Sequence, residues 1–196
     1  MHDVSLGQTI RDYLTGETIE QTTFEDLRQA LARLLVEERG YPRDRIRPRV
    51  NAVIQIEGRD YGRLVDLVAL DAQERPLLAL MFCAGVVSTY LRESLAAARL
   101  MPGGPAPLVA VTDTREAMLL ETATGKVLGQ GMAAIPDWAT LTELAAAHPP
   151  LPLEEEQRER EARILYAYSE QLYSCCSYAA CTAAARGGRF KDDQKG

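Results

Sequence analysis

Apolar residues along this chain follow two rhythms, and the change from one to the other divides it into elements. From Thr23 onward, Leu27, Ala30, Leu31, Leu34 and Leu35 recur at three- and four-residue spacing, the pattern of a helix with one buried face. Thr22 or Thr23 is placed to cap its start, Glu25 and Asp26 suit its first turn, and Gly40 and Pro42 end it. The rhythm then shortens to two. Val50, Ala52, Ile54 and Ile56 alternate with polar partners across residues 49–57, which predicts a half-buried strand. Residues 63–70 and 76–83 are nearly continuous apolar runs, as expected of central strands covered on both faces. A second helix is predicted over 88–101, stopped by Pro102-Gly103-Gly104-Pro105, and two short strands follow at 108–112 and 117–121. Beyond them come a short helix around 141–147, prolines at 149, 150 and 152, and a long helix from Glu154 to about Tyr178, with Ile164, Leu165, Tyr168 and Leu172 on one face.

The order helix, three strands, helix, two strands predicts an α/β fold with a mixed central sheet and a long C-terminal helix. Residues 1–22 are polar and are expected to run over the surface. Residues 23–136 form the domain proper, 137–186 a helical extension and 187–196 a disordered tail.

Composition narrows the class without naming a function. With 46% hydrophobic and 26% charged residues, the chain has ordinary globular usage, and no apolar run is long enough to predict a membrane span. The N-terminus has no basic region followed by an apolar run, so a cytoplasmic protein is expected. Cys83 stands alone, whereas Cys175, Cys176 and Cys181 cluster. Their spacing fits no zinc or iron–sulfur pattern, and they read as helix-packing thiols.

A net charge of −6 argues against a general coat for DNA, because phosphate binding needs concentrated positive charge. A local patch remains in view. Arg43, Arg45, Arg47 and Arg49 alternate into the first long strand, which would set them on one face, either against phosphates or as the charged rim of a solvated edge. Charge alone favours the rim.

The sharpest candidate for chemistry is Asp66, in Leu64-Val65-Asp66-Leu67-Val68. A carboxylate flanked by apolar residues in a central strand needs a metal, a basic neighbour or hydrogen bonds. A remnant acid paired with Arg63 or another arginine near the strand end is the plain structural alternative. For Glu25 the plain alternative is stabilisation of the first helical turn.

The motifs around these residues add a resemblance. Asp12-Tyr13-Leu14-Thr15-Gly16, Glu25 with Arg28-Gln29, Leu34-Leu35-Val36-Glu37-Glu38 and Gly40-Tyr41-Pro42 resemble the opening of the N-terminal domain family of type I restriction enzyme R subunits. Gly62-Arg63-Leu64-Val65-Asp66-Leu67-Val68 resembles its second core strand, and Pro76-Leu77-Leu78 the start of its third. Val111-Thr112-Asp113-Thr114-Arg115-Glu116 and Glu121-Thr122-Ala123-Thr124-Gly125-Lys126-Val127-Leu128 resemble the strands that follow. The ordered set spans residues 10–135.

That family belongs to the PD-(D/E)XK nucleases, and the resemblance implies a restriction-endonuclease-like αβββαβ core. It also implies DNA cleavage by a divalent metal held between an aspartate and a Glu-x-Lys unit, often assisted by a helical glutamate. Asp66 matches the metal-binding aspartate and Glu25 the helical glutamate. The third strand departs: Met81 stands at the carboxylate position and Cys83 at the lysine position. A thioether is a poor magnesium ligand, and residues 76–90 hold no Asp, Glu, Lys, Arg or His. The Gln-x-x-x-Tyr pair that the family often carries is matched by Glu93 and Ala97. Glu93 and Arg92 are the residues that could migrate into the site.

Three functions follow as expectations. The first is a stand-alone pseudo-nuclease, inactive and without a cofactor, that binds DNA weakly or serves as a protein scaffold. The second is an active endonuclease using Mg2+ at a rearranged site around Asp66. The third is an interaction protein that forms a homodimer through its C-terminal helix. No Gly-x-x-x-x-Gly-Lys-Ser/Thr loop occurs, so no ATP site of that kind is expected.

Overall fold

The computed structural model describes residues 4–174 apart from residue 57. The N-terminal segment lies on the surface, but it is paired rather than irregular: β1 (Ser5–Arg11) and β2 (Thr18–Thr22) form an antiparallel hairpin with Ile10 opposite Ile19. Both strands are mainly polar, β1 exposed and β2 half-buried, so apolar periodicity carries no signal for them. The hairpin is anchored by its turn. One carboxylate oxygen of Asp12 accepts the Leu14 and Thr15 N–H groups at 2.8 and 2.9 Å, and Tyr13 and Leu14 pack against the core.

Thr22 caps α1 (Thr23–Arg33), its hydroxyl accepting the Glu25 N–H at 3.0 Å. A π-helical turn over Leu34–Glu38 extends the helix, and Gly40 follows it at φ +69°, where a side chain would be strained. Six strands then build one sheet in sequence order: β3 (Ile46–Ile56), β4 (Arg59–Leu70), β5 (Pro76–Phe82), β6 (Leu108–Thr112), β7 (Ala117–Glu121) and β8 (Val127–Gln130). β5 and β6 are parallel, joined by a crossover through α2 (Leu91–Arg99), and the other neighbours are antiparallel. The order is the predicted one, with the short edge strand β8 added. Asp137 caps α3 (Trp138–Ala147), and α4 (Glu155–Ser174) follows the proline linker.

Helices cover both faces of the sheet, which is why its middle strands are apolar throughout. Leu67, Ala69, Leu78, Leu80 and Phe82 face α1 and α3, whereas Val68, Leu70, Ala79 and Met81 face α2 and α4. The alternation slips at one place. In β3, Ile46 belongs to the α1 face but Ala52 and Ile54 belong to the other, and in β4 Val65 sides with Val68 rather than with Leu67. The slip falls at Arg49, whose φ is +55°, where pairing passes from Pro48–Leu67 to Val50–Val65. The register is the same on both sides, so residues 49 and 66 drop out of the pairing without an inserted residue, and Asp66 lies at this break.

The start of α4 lies on its own sheet. Leu165 is buried among the residues of the α2 face, and Tyr166 meets Tyr61 edge-on with ring centres 4.8 Å apart. Glu161 fixes the helix to α2, accepting from Arg92 at 2.6 and 3.0 Å and from Arg99 at 2.7 Å. Burial alone would raise the Glu161 pKa, but the two guanidiniums outweigh it and hold the carboxyl below the usual glutamate value. Arg92 is therefore committed to α4, not to Asp66. Cys175, Cys176, Cys181, the end of the predicted long helix and the predicted tail at 187–196 lie outside the described residues. Among the described residues, no helix is long and apolar enough to cross a membrane.

Candidate functional site around Asp66

Asp66 is 6% exposed, and its charge is met on both oxygens. One oxygen accepts from Arg28 Nε at 3.1 Å and Nη2 at 2.8 Å, and the other accepts the Phe82 N–H at 2.7 Å. The partner is thus Arg28 of α1, not Arg63 or an arginine near the strand end: Asp66 lies where the β3–β4 alternation slips, and Arg63 pairs with Glu93 on the other face. Glu25 is equally buried and does more than stabilise a first turn. It pairs with Arg28 through one oxygen, while the other accepts from Gln29 at 2.7 Å and from Arg49 at 3.2 Å. Arg49 continues to Asp12 at 2.9 Å.

The result is a run of alternating charge, Asp12–Arg49–Glu25–Arg28–Asp66, that joins the hairpin turn, β3, α1 and β4. Glu25, Arg28 and Gln29 share one helical face through their three- and four-residue spacing. Burial would lower the Arg28 pKa, but Asp66 and Glu25 outweigh that and raise it above the ordinary arginine value, so Arg28 is a fixed cation.

Met81 and Cys83 lie on the other side of the sheet. Met81 is buried with Val65, Leu95, Ala96 and Ala97, and Cys83 with Val87 and Val111. Burial pushes the Cys83 thiol up, so it stays protonated and unreactive at neutral pH. Glu93 is buried on that side too, where it pairs with Arg63 from β4. The structure therefore brings Asp66 and Glu25 together, and it separates them from Met81, Cys83 and Glu93.

The four arginines do not share a face. Arg43 and Arg45 fall in a 3-10 turn before β3, and the left-handed φ of Arg49 breaks the alternation with Arg47. Three are engaged within the protein. Arg45 donates to the Asp71 carbonyl, Arg47 binds Glu74 and the Asp44 carbonyl, and Arg49 holds Asp12 and Glu25. Arg43 lies 4.6 Å from the Tyr13 ring centre, with Arg33 at 4.5 Å from the same ring.

The divalent metal that the resemblance implies does not fit these residues. Magnesium needs several free oxygens in near-octahedral order. Here every carboxylate oxygen of Asp66 and Glu25 already has an N–H partner, and a guanidinium lies between the two groups. Among the described residues, no three His, Cys, Asp or Glu side chains converge to hold a metal ion.

The network gives a pH signature. Burial acts to raise the Asp12 pKa, but the Thr15 and Leu14 N–H groups and Arg49 together lower it below the ordinary 3.8. The unfolded chain then binds the proton more tightly, so Asp12 contributes stability above that pH and loses it as pH falls through the folded value. In urea titrations from about pH 2 to pH 6, the gap between wild type and Asp12→Asn is expected to be full at the upper end and to narrow below pH 4. A gap that does not change with pH would contradict the assignment.

A model of the type I restriction enzyme R protein N terminus matches residues 24–136. That stretch runs from α1 through β8 and contains Glu25, Arg28, Arg49 and Asp66; Asp12 precedes it. No curated protein and no solved structure matches the chain significantly. The match spans more than half of the residues, and with the helix and strand order it places the chain in the type I restriction enzyme R protein N-terminal family.

Proposed function

We propose that this chain is a catalytically inactive form of the family's nuclease domain, kept as a binding scaffold. One observation carries the reading: both oxygens of the Asp66 carboxylate are taken, by Arg28 and by the Phe82 N–H, while Met81 of β5 and Cys83 just after it lie across the sheet. Among the described residues, this leaves no free carboxylate at the site to hold a metal against a phosphate or to activate water.

For the partner, protein is better supported than DNA. Arg45, Arg47 and Arg49 already have acidic or carbonyl partners, and the net charge is −6. The test is incubation with supercoiled and linear DNA in magnesium or manganese, with Asp66→Ala as control. The expected outcome is no cutting by either protein, and cutting by the wild type alone would overturn the proposal. A DNA titration at about 50 and 200 mM salt addresses the partner, because phosphate contacts weaken steeply over that range. Retardation is expected to be absent at the higher salt. Tight, salt-dependent binding lost in Arg43→Ala would restore DNA as the partner.

A further inference from the structure

β3 is an edge strand: β4 pairs with one side of it, and among the described residues no strand pairs with the other. Such edges are normally blocked, because their free N–H and C=O groups invite another strand. The first half of β3 is blocked, by Arg47, by Pro48 and by the left-handed φ of Arg49. The second half is not. Val50-Asn51-Ala52-Val53-Ile54-Gln55-Ile56 contains no charge, proline or glycine. One face of this stretch packs with α4 through Ala52 and Ile54. The other is open at Asn51, Val53 and Gln55, with Val53 42% exposed. The opposite edge of the sheet, β8, has only four residues.

The stretch is complementary to itself. A two-fold axis perpendicular to the sheet would set the strand antiparallel beside its own copy. Residues opposite one another share a face and faces alternate along a strand, so the axis must pass through a residue rather than between two. Placed at Val53, it opposes like with like: Val53 with Val53, Asn51 with Gln55, Ala52 with Ile54 and Val50 with Ile56. The next pair in sequence, Arg49 and Glu57, is of opposite charge. An axis one residue to either side would set Val53 against Asn51 or Gln55.

We propose that the edge of β3 at residues 50–56 docks a second copy of this chain, joining the two sheets into one. The contact is isologous, so it closes at two copies and uses up the open edge. Val53 is its centre. The inference is independent of the Asp66 site and of whether the protein cuts DNA.

The experiment is sedimentation equilibrium of the full chain across the micromolar range, alongside Val53→Lys and Val53→Glu. Seven residues a side make a small interface, so the wild type is expected to pass from one chain to two as concentration rises. Each variant sets like charges face to face across the axis and is expected to weaken dimerisation by about tenfold or more. Both are expected to melt close to the wild type at concentrations where all are monomeric, since Val53 lies on the open face. An equal mixture of the two is expected to restore the dimer, because lysine then faces glutamate. A wild type that stays monomeric, assemblies that grow beyond two chains, variants that dimerise like the wild type, or folded variants whose mixture stays monomeric would each overturn the proposal.

Discussion

Arg28→Met is expected to lower the stability of the fold by about 3–5 kcal/mol, the usual result of removing one partner from a buried ion pair. The reason is the state of what remains. Asp66 would keep the Phe82 N–H but lose the guanidinium that meets its other oxygen, and Glu25 would keep only Gln29 and Arg49. Water cannot take over, because the Arg28, Glu25 and Asp66 side chains are all less than a tenth exposed. Domains of this size have total stabilities of roughly 5–15 kcal/mol, so the loss should appear as a large drop in the urea midpoint at pH 7. Arg28→Met combined with Asp66→Asn should recover part of it, since the uncompensated charge is then gone while the amide oxygen can still accept from Phe82. Arg28→Lys should fall between, keeping the charge without the fork that reaches both acids. A loss below about 1 kcal/mol in the single variant would show that the network is solvated and does not lock α1 to the sheet.

Met81→Glu, which puts an acid where the resemblance implies one, is expected to destabilise by about 3 kcal/mol or more and to confer no nuclease activity. Met81 is 1% exposed and packs against Leu95, Ala96 and Ala97, so the new carboxylate would enter an apolar cluster. Arg63, a guanidinium on that side, already pairs with Glu93. Adding Cys83→Lys would supply a charge, yet Asp66 would still be bound to Arg28 on the α1 face. The measurements are a thermal melt and a plasmid-cleavage assay in magnesium. A Met81→Glu variant that melts like the wild type and cuts DNA would mean that a single residue, rather than the whole arrangement, had silenced the site.

The framework was legible because periodicity reports burial. The α1 stripe, the alternation of β3, the apolar runs of β4 and β5, and the strands at 108–112 and 117–121 all bury one or both faces, and each stands where the pattern predicts it. The β1–β2 hairpin was missed as strands because its residues are mainly polar and none of them is fully buried. The site was half legible. Asp66 and Glu25 could be singled out as acids needing an explanation, and Arg28 stands three residues after Glu25, but that Arg28 reaches Asp66 depends on the packing of α1 against β4. The use of Arg49 was hidden more deeply. Its positive φ breaks an alternation that looks regular in sequence and sends its side chain to Asp12 and Glu25 instead of to solvent.

The parallel pairing of β5 with β6 has a consequence for how the chain comes together. An antiparallel neighbour can close through a short turn, as β4 does onto β5, but a parallel one must wait for the whole crossover to be made. Until residues 108–112 leave the ribosome and dock, one edge of β5 stays open, and that edge belongs to Leu77-Leu78-Ala79-Leu80-Met81-Phe82, a run without a charge. Arg75 guards only its upstream end. Met81 and Cys83, at the end of this run, stand where the resemblance implies an acid and a lysine, and two charges there would serve as gatekeepers against misassembly as well as for chemistry.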